Sequence, residues 1–106
     1  IVMVALDLDN NNLFFGKNGT WLRGATESEI EAGTSTNATF SGTSFNDKFW
    51  TWSVCSEFEN MYMNAGNGYF GTTAVSSAGT NASGNGIFEH DVPAGFTALS
   101  TKGLNE

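Results

Sequence analysis

The sequence predicts an all-β fold made of short antiparallel strands, and three observations support this prediction. The chain of 106 residues contains 13 glycines, one proline and many Asn, Ser and Thr residues, which favours short strands joined by turns over helices. Apolar and polar side chains alternate along several short segments, and alternation is the pattern of a strand. An Asn18-Gly19 pair, which is a strong hairpin signal, separates two of the apolar segments.

Residues 1–22 predict a three-stranded meander. Residues 1–8 are almost all aliphatic and lack helical spacing, so they predict a strand that is buried on both faces or nearly so. The acidic and amide residues at 9–12 predict a turn, because Asn and Asp tolerate left-handed backbone geometry. Residues 13–17 predict the second strand. Asn18-Gly19 predicts a type I′ turn with positive φ at both positions, and residues 20–22 return as the third strand.

A more polar region follows the meander. Residues 26–31 show the pattern of a capping box, in which Thr26 and Glu29 cap each other across the first turn of a helix. One short helical turn is therefore predicted there. Residues 33–39 are rich in turn formers and predict a surface loop, and residues 38–40 predict a brief strand.

Two further apolar segments predict strands in the second half of the chain. Residues 45–58 form an apolar block with strict alternation from Trp50, so that Trp50, Trp52 and Val54 share one face. We expect this face to be core, because burial is the commoner use of tryptophan. The alternative is a pair of exposed tryptophans that stack on sugar rings. Residues 59–64 alternate and predict another strand, whereas the small polar residues 72–83 predict a loop.

The order of motifs in the meander is similar to the central motif of SPRY (B30.2-like) domains. In that family a strand that ends in Leu-Asp, here Leu6-Asp7 within Val-Ala-Leu-Asp-Leu-Asp-Asn, precedes an aromatic strand and a Lys-Asn-Gly turn. The aromatic strand is Leu13-Phe14-Phe15 and the turn is Lys17-Asn18-Gly19. The sequence of the motif through Thr20-Trp21 most resembles SPRY-like modules in structural proteins of tailed bacteriophages. The end of the chain resembles the closing apolar clasp of those modules, at Phe88, Pro93, Gly95, Phe96, Ala98, Leu99, Thr101 and Leu104.

This resemblance implies an antiparallel β-sandwich of the concanavalin A-like, SPRY type. The part that precedes the Leu-Asp hairpin in the family is absent from the sequence, so the chain is expected to be the C-terminal half of such a sandwich. It would be a single SPRY-like domain fragment, with a hairpin core at residues 1–23, a variable loop at 24–44, and C-terminal strands with the closing clasp at 45–106. A strand as apolar as residues 1–8 needs neighbours, so we expect a larger parent chain or a homo-oligomer.

The resemblance also implies a function, namely a non-enzymatic structural or binding module of a virion, in a phage tail or tail fibre. The expected partners are other virion proteins, or a protein or glycan of the host surface. SPRY domains recognise partners with loops at one end of the sandwich, which makes residues 26–39 and 72–85 the candidate contact surface. The candidate binding residues in these loops are Thr26, Glu29, Thr34, Asn37, Thr72, Thr80, Asn81 and Asn85, and the candidate aromatic contacts are Trp21 and Tyr69.

Two other functions stay open. A lectin-like, carbohydrate-binding module would show exposed aromatic residues such as Trp21, Trp50 or Tyr69 on one face. A glycan hydrolase would need two convergent carboxylates, and the acidic residues at 27, 29 and 31 are the candidates. A solvated acidic loop is the simpler interpretation of those three residues.

The charge of the chain excludes several classes of partner. A formal net charge of -7 argues against nucleic acid and against an anionic membrane surface, because both require a basic face. No apolar run reaches the roughly 20 residues that a membrane helix requires.

The residues that carry chemistry form no strong pattern, and neither a metal nor a cofactor is predicted. Cys55 is the single cysteine, so no internal disulfide can form. His90 is the single histidine and is expected to be an exposed residue at a strand end, because no nucleophile motif accompanies it. Asp7, Asp9 and Asn11 resemble the start of a calcium loop, but the Gly and Glu that an EF-hand needs later in the loop are both replaced by Asn.

Overall fold

The N-terminal meander forms as the sequence predicts. The structure is a computed structural model and describes residues 1–43, 48–57, 59–81 and 83–99. Strand β1 (Val2–Asp7) pairs antiparallel with β2 (Asn12–Lys17), and β2 pairs antiparallel with β3 (Thr20–Trp21). The turn between β2 and β3 has φ angles of 49° at Asn18 and 83° at Gly19. The predicted two-residue turn with positive φ is therefore confirmed.

Asp7 organises the turn between β1 and β2. Its carboxylate accepts hydrogen bonds from the backbone N–H of Asn10 at 3.0 Å and from the side-chain amide of Asn10 at 2.8 Å. Asn11 has a φ of 57°, in the left-handed region that Asn tolerates better than most residues. The predicted turn is therefore present, and Asp7, the last residue of β1, holds it in place.

Strand β1 lies at the edge of the described sheet and is more buried on one face than on the other. Among the described residues it pairs with β2 alone, whereas β2 also pairs with β4 (Phe40–Ser41) along its other edge. Ala5 and Phe14 lie opposite each other on the buried face, and Phe14 is 1% exposed. Val2, on the other face, is 66% exposed. The prediction of a strand buried on both faces, or nearly so, fails at Val2, whereas Val4 and Leu6 on the same face are half-buried.

A small apolar core forms behind this sheet. It consists of Ala5, Phe14, Ala25, Ile30 and Ala38, and the half-buried Trp21 and Phe96 pack against it. The helix α1 (Glu27–Glu31) contributes Ile30, and a short 3-10 helix (Leu22–Gly24) precedes it. The brief strand predicted at residues 38–40 lies at Phe40–Ser41 instead, because the backbone N–H of Ala38 donates to the carbonyl of Ser35 in a turn, at 3.1 Å.

The chain divides into two compact units. The first unit comprises Ile1–Lys48 and Pro93–Phe96, and the second comprises Phe49–Val92 and Thr97–Glu106. In the described part of the second unit, the short strands β5 (Tyr69–Phe70) and β6 (Thr73–Ala74) pair antiparallel, and isolated bridges join Asn67 to Ile87 and Asn81 to Val92.

Two strands predicted in the second half are absent from its described residues. Residues 48–57 and 59–64 form no strand, and β6 lies inside the loop predicted at 72–83. Trp50, Trp52 and Val54, which were expected to be core, are exposed, the two tryptophans by 42% and 44%. Alternation produces a strand only where a second strand supplies hydrogen bonds, and no Asn-Gly type of turn joins the two segments into a hairpin. Phe45, Phe58, Thr101 and Leu104, which the predictions included, lie outside the described residues.

Close approach of two glycines organises the second unit. A Cβ added to Gly66 or to Gly86 would lie 2.7 Å from the Cβ of Ala98, which is buried. The side chain of Asn64 links the two backbone segments that contain these glycines. Its Oδ1 accepts from the N–H of Gly66 at 2.8 Å, and its Nδ2 donates to the carbonyl of Ile87 at 2.9 Å. Turn and backbone hydrogen bonds therefore shape the unit more than an apolar core does. In both units the described strands pair in antiparallel sheets and helix is scarce, which is compatible with an all-β fold.

Candidate interaction surfaces

The most apolar exposed part of the described chain is residues 49–57 and 59–63, which we term the aromatic segment. Its large side chains are exposed, and Phe49 is fully so. The exposed members are Phe49, Trp50, Trp52, Val54, Met61, Tyr62 and Met63. Large exposed apolar side chains that lie close together in the sequence make this segment a candidate interaction surface. The sequence analysis expected this face to be core, because it took the alternation as evidence of burial, and kept exposed tryptophans only as the alternative.

A second apolar surface lies on the meander. Val2, Val4 and Leu6 share the face of β1 that points away from the core, and Leu13 and Phe15 continue it on β2. Phe40 of β4 lies opposite Leu13 and is exposed. The sheet is therefore apolar on both faces, which is typical of a sheet that packs against other elements on both sides.

The predicted binding residues of the first loop are mostly engaged with one another. The hydroxyl of Thr26 accepts from the N–H of Glu29 at 3.2 Å, and the carboxylate of Glu29 accepts from the N–H of Thr26 at 2.8 Å, which completes the predicted capping box. The other oxygen of Glu29 accepts from the Asn37 amide at 2.9 Å. Thr34 donates its backbone N–H to the carbonyl of Glu29 at 2.9 Å. Through these hydrogen bonds, the four residues hold the loop and the start of α1 in place.

The hydrogen bonds of Glu29 also affect its ionisation. The backbone N–H of Thr26, followed by the Thr26 hydroxyl and the Asn37 amide, holds the pKa of Glu29 below its ordinary value of 4.5. This group favours the charged form and is poorly suited to act as a general acid. Glu31 likewise accepts a hydrogen bond from the backbone N–H of Ala94 at 2.7 Å. Two of the three acidic residues therefore hold backbone N–H groups, Glu29 that of Thr26 and Glu31 that of Ala94.

The predicted residues of the second loop divide into one exposed residue and a bonded group. Thr72 is exposed in the turn between β5 and β6. The amide of Asn81 donates to the carbonyls of Asn85 and Gly86, and Asn85 is buried. Thr80 donates its N–H to the carboxylate of Asp91 at 2.6 Å. Most of this loop is thus folded against its own unit.

The two predicted aromatic contacts have different environments. Trp21 is half-buried and packs against the core of the first unit, so it acts mainly in stability. Tyr69 is exposed on β5 and stays a candidate contact residue.

Residues 89–91 fasten the loop at 76–80, a role that the sequence prediction missed. Glu89 accepts from the backbone N–H of Ser76 at 2.6 Å and from the Ser76 hydroxyl, and Asp91 accepts from the N–H of Thr80. The Ser76 hydroxyl bond is the main cause that lowers the pKa of Glu89, and the Thr80 backbone N–H is the main cause that lowers the pKa of Asp91. The sequence does contain a signal for this role. Two acidic residues flank His90, and the chain also has a loop rich in Ser and Thr whose N–H and hydroxyl groups they can bind.

His90 differs from its prediction as an exposed residue. It is half-buried, and its Nε2 atom is buried without a hydrogen-bond partner among the described residues. No described hydroxyl or thiol contacts it in the manner of a nucleophile and its base. Cys55 is exposed within the aromatic segment.

The described residues contain no group of three or more His, Cys, Asp or Glu side chains that could hold a metal ion. Over the same part of the chain, none of the helices has both the length and the apolar character that membrane crossing requires.

Comparison with known proteins supplies no relative from which to transfer a function. A scan against protein-family models and searches of curated proteins and of solved structures match none of them to this chain.

Proposed function

We propose that this chain is a non-enzymatic binding and structural module of the SPRY type, and that it contacts its partners through the aromatic segment. The observation that carries the proposal is the exposure of the large apolar side chains at residues 49–57 and 59–63, which the described structure leaves uncovered by strand pairing. Burying such surface is favourable by about 25 cal/mol per Å², so a partner that covers it gains binding energy.

The fold part of the proposal is a β-sandwich of the concanavalin A-like kind. Its support is the antiparallel meander and the apolar outer face of that meander, at Val2, Val4, Leu6, Leu13, Phe15 and Phe40. In a sandwich the inner faces of two sheets pack against each other about 10 Å apart, so a sheet with two apolar faces suits that architecture.

A protein partner suits the aromatic segment better than a nucleic acid does. Met and aromatic residues are enriched in protein interfaces, and flexible Met side chains adapt to different partner surfaces. Met61 and Met63 flank Tyr62 in this segment, and all three are exposed. In addition, the net charge of -7 would repel the phosphate backbone of a nucleic acid.

The proposed setting is a phage virion, in a tail or tail fibre, where the partners are other virion proteins or a protein or glycan of the host surface. This setting is supported by the SPRY-like motif from Leu6 to Trp21. The predicted loops at residues 26–39 and 72–85 are the competing contact surface within the same function.

The test is incorporation into particles. A variant with Phe49→Ser, Met61→Ser and Met63→Ser should be at least about tenfold depleted from purified particles, because interface anchors are worth about 1 kcal/mol or more each. Mass spectrometry measures the amount per particle. Leu99→Ser is the control, since Leu99 is about as exposed as Met61 and Met63 and belongs to the second unit but lies outside the segment.

Three results separate the possibilities. Depletion of the segment variant, with normal incorporation of the control, supports the proposal. Depletion of a Thr34→Ala, Thr72→Ala variant instead would assign the contact to the loops. Absence of the unsubstituted chain from purified particles would contradict the virion setting.

Carbohydrate binding is the second candidate function, and the exposure of Trp50, Trp52 and Tyr69 favours it. Exposed aromatic rings present an apolar face on which a sugar ring can stack. A glycan array probed with the chain tests this function. Selective binding that is lost in Trp52→Ala, at an unchanged unfolding temperature, would favour the lectin over the protein-binding module.

A further inference from the structure

The outer edge of β1 presents backbone groups that the described sheet leaves unpaired. The N–H of Asn18 donates to the carbonyl of Ile1 at 2.9 Å, which sets the alternation of hydrogen-bonded pairs along β1 and β2. Met3, Ala5 and Asp7 then exchange hydrogen bonds with β2, so the N–H and C=O groups of Val2, Val4 and Leu6 point outward. None of the hydrogen bonds found among the described residues uses them.

This edge lacks the features by which proteins block edge pairing. Natural edge strands are protected by Lys, by Pro, by bulges or by short length. Strand β1 has neither Lys nor Pro among its six residues, and it pairs with β2 in an unbroken register from Val2 to Asp7. An edge of this kind accepts another strand readily, by β-augmentation.

We propose that the occupant is β1 of a second copy of this chain, paired antiparallel about a two-fold axis at Val4. This inference rests on the proposed function, because a structural module of a virion is present in repeated copies. In this register Val4 lies opposite Val4 of the second copy, and Val2 lies opposite Leu6. The outward N–H and C=O groups of the two strands then satisfy each other, and the β1–β2–β3 sheets join into one continuous sheet.

Charge favours this edge as the place where two acidic chains can meet. The chain has a net charge of -7, so most contacts between copies bring like charges together. Strand β1 carries one charged residue, Asp7, at its end. In the antiparallel register the two Asp7 residues lie at opposite ends of the strand pair, about 20 Å apart at 3.4 Å per residue. That separation exceeds the Debye length of about 8 Å at physiological ionic strength.

The side chains on the outer face fit the same register. Val2, Val4 and Leu6 would lie beside their counterparts on one face, since antiparallel pairing about a two-fold axis normal to the sheet keeps each face continuous. Opposed aliphatic residues stabilise a strand pair. The partly exposed apolar face of β1 therefore continues from one copy to the other, and its aliphatic side chains lie beside other aliphatic side chains.

The test is sedimentation velocity of the full chain over a wide range of concentration, with a pair of charge variants. We expect a concentration-dependent dimer. Val4→Lys and Val4→Asp should each raise the dissociation constant at least about tenfold, because each places two like charges directly opposite one another. A mixture of equal amounts of the two variants should restore the dimer, since Lys then faces Asp. Val4→Thr, a β-branched change without charge, is the matched control and should dimerise normally.

Restoration in the mixture shows that residue 4 of one copy lies beside residue 4 of the other, and slowed hydrogen exchange of the Val4 amide distinguishes edge pairing from packing through the faces of the sheets. A monomer at every concentration, dimers that both charge variants retain, or failure of the mixture to restore a lost dimer would each overturn the proposal. Circular dichroism checks folding of the variants. If they do not fold, hydrogen exchange of the Val4 amide in the unsubstituted chain decides, because it must slow as the concentration rises. The incorporation test of the proposed function leaves β1 unchanged, so either result can fail without the other.

Discussion

Single residues determine the turns of this chain, and the turn at Asn18-Gly19 shows how directly. Both residues have positive φ, a conformation that Gly adopts freely and Asn adopts more readily than most residues. This turn could be predicted from two adjacent letters because its chemistry is local. Asn64 could not be predicted in the same way, since the carbonyl of Ile87 that it binds lies far along the chain.

Gly19→Val should reduce the free energy of unfolding by about 1–3 kcal/mol, because a β-branched residue is strained at positive φ. Urea unfolding followed by circular dichroism measures this change. Asn18→Gly is the matched control and should fold normally, since Gly tolerates the same φ. A Gly19→Val protein as stable as the unsubstituted chain would contradict the turn assignment.

Thr26→Ala should cost about 0.5–2 kcal/mol, because it removes the hydroxyl that caps α1. Thr72→Ala provides the comparison. Thr72 is exposed and caps no helix, so its replacement should stay within about 0.5 kcal/mol. Equal effects of the two changes would show that the capping box does not stabilise the first unit.

At the scale of elements, the sequence predicted the meander and the capped helix correctly and failed along the aromatic segment. The successes have local causes, namely turn residues and capping pairs a few positions apart. A strand at residues 50–55 would need a partner strand to form hydrogen bonds with it. Alternation of apolar and polar side chains does not show whether such a partner exists. The same limit applies to the candidate site, because the exposure of Phe49 or Met63 is decided by what else packs nearby.

The contrast between the two apolar elements predicts different costs for the same substitution. Phe14→Ala should reduce the free energy of unfolding by about 3–5 kcal/mol, since Phe14 is buried in the core. Phe49→Ala should change it by no more than about 0.5 kcal/mol, because Phe49 is fully exposed. Urea unfolding of both variants measures the difference. A large loss of unfolding free energy for Phe49→Ala would show that Phe49 packs in a core, and would contradict its exposure.

The acidic residues that bind loop backbones predict a dependence of stability on pH. The pKa values of Glu29, Glu89 and Asp91 lie below their ordinary values of 4.5, 4.5 and 3.8 in the folded chain. A lowered pKa means that the folded state favours the charged form, so the stabilisation is complete above the ordinary pKa values. It is lost as the pH falls through them and below, because the unfolded state then takes up more protons.

Urea unfolding at a series of pH values from about 7 down to about 3 should therefore show falling stability below about pH 4.5. Glu89→Gln should reduce the slope of this fall, because it removes one of the three groups. Glu27→Gln is the control, since no hydrogen bond to the Glu27 carboxylate is found among the described residues. A Glu89→Gln protein with an unchanged pH profile would show that the Ser76 contact does not stabilise the charged carboxylate.

At the scale of the whole molecule, composition predicted the fold class and little more. Thirteen glycines and one proline pointed to strands and turns, and the described sheets are antiparallel with little helix. The division into two units was not predicted, because it follows from contacts between distant residues rather than from composition. The role that we propose rests on two features of the described residues, namely the unpaired edge of β1 in the first unit and the exposed aromatic segment in the second.

Oxidative footprinting of Met61 and Met63 tests the proposed role of the aromatic segment most directly. Both side chains are exposed in the chain by itself, so both should oxidise rapidly to the sulfoxide, whereas the half-buried Met3 serves as an internal reference. In assembled particles that contain the chain, we expect Met61 and Met63 to be protected relative to the isolated chain, because a partner covers them. Oxidation at the same rate in both states would show that the segment contacts nothing there, and would contradict the account.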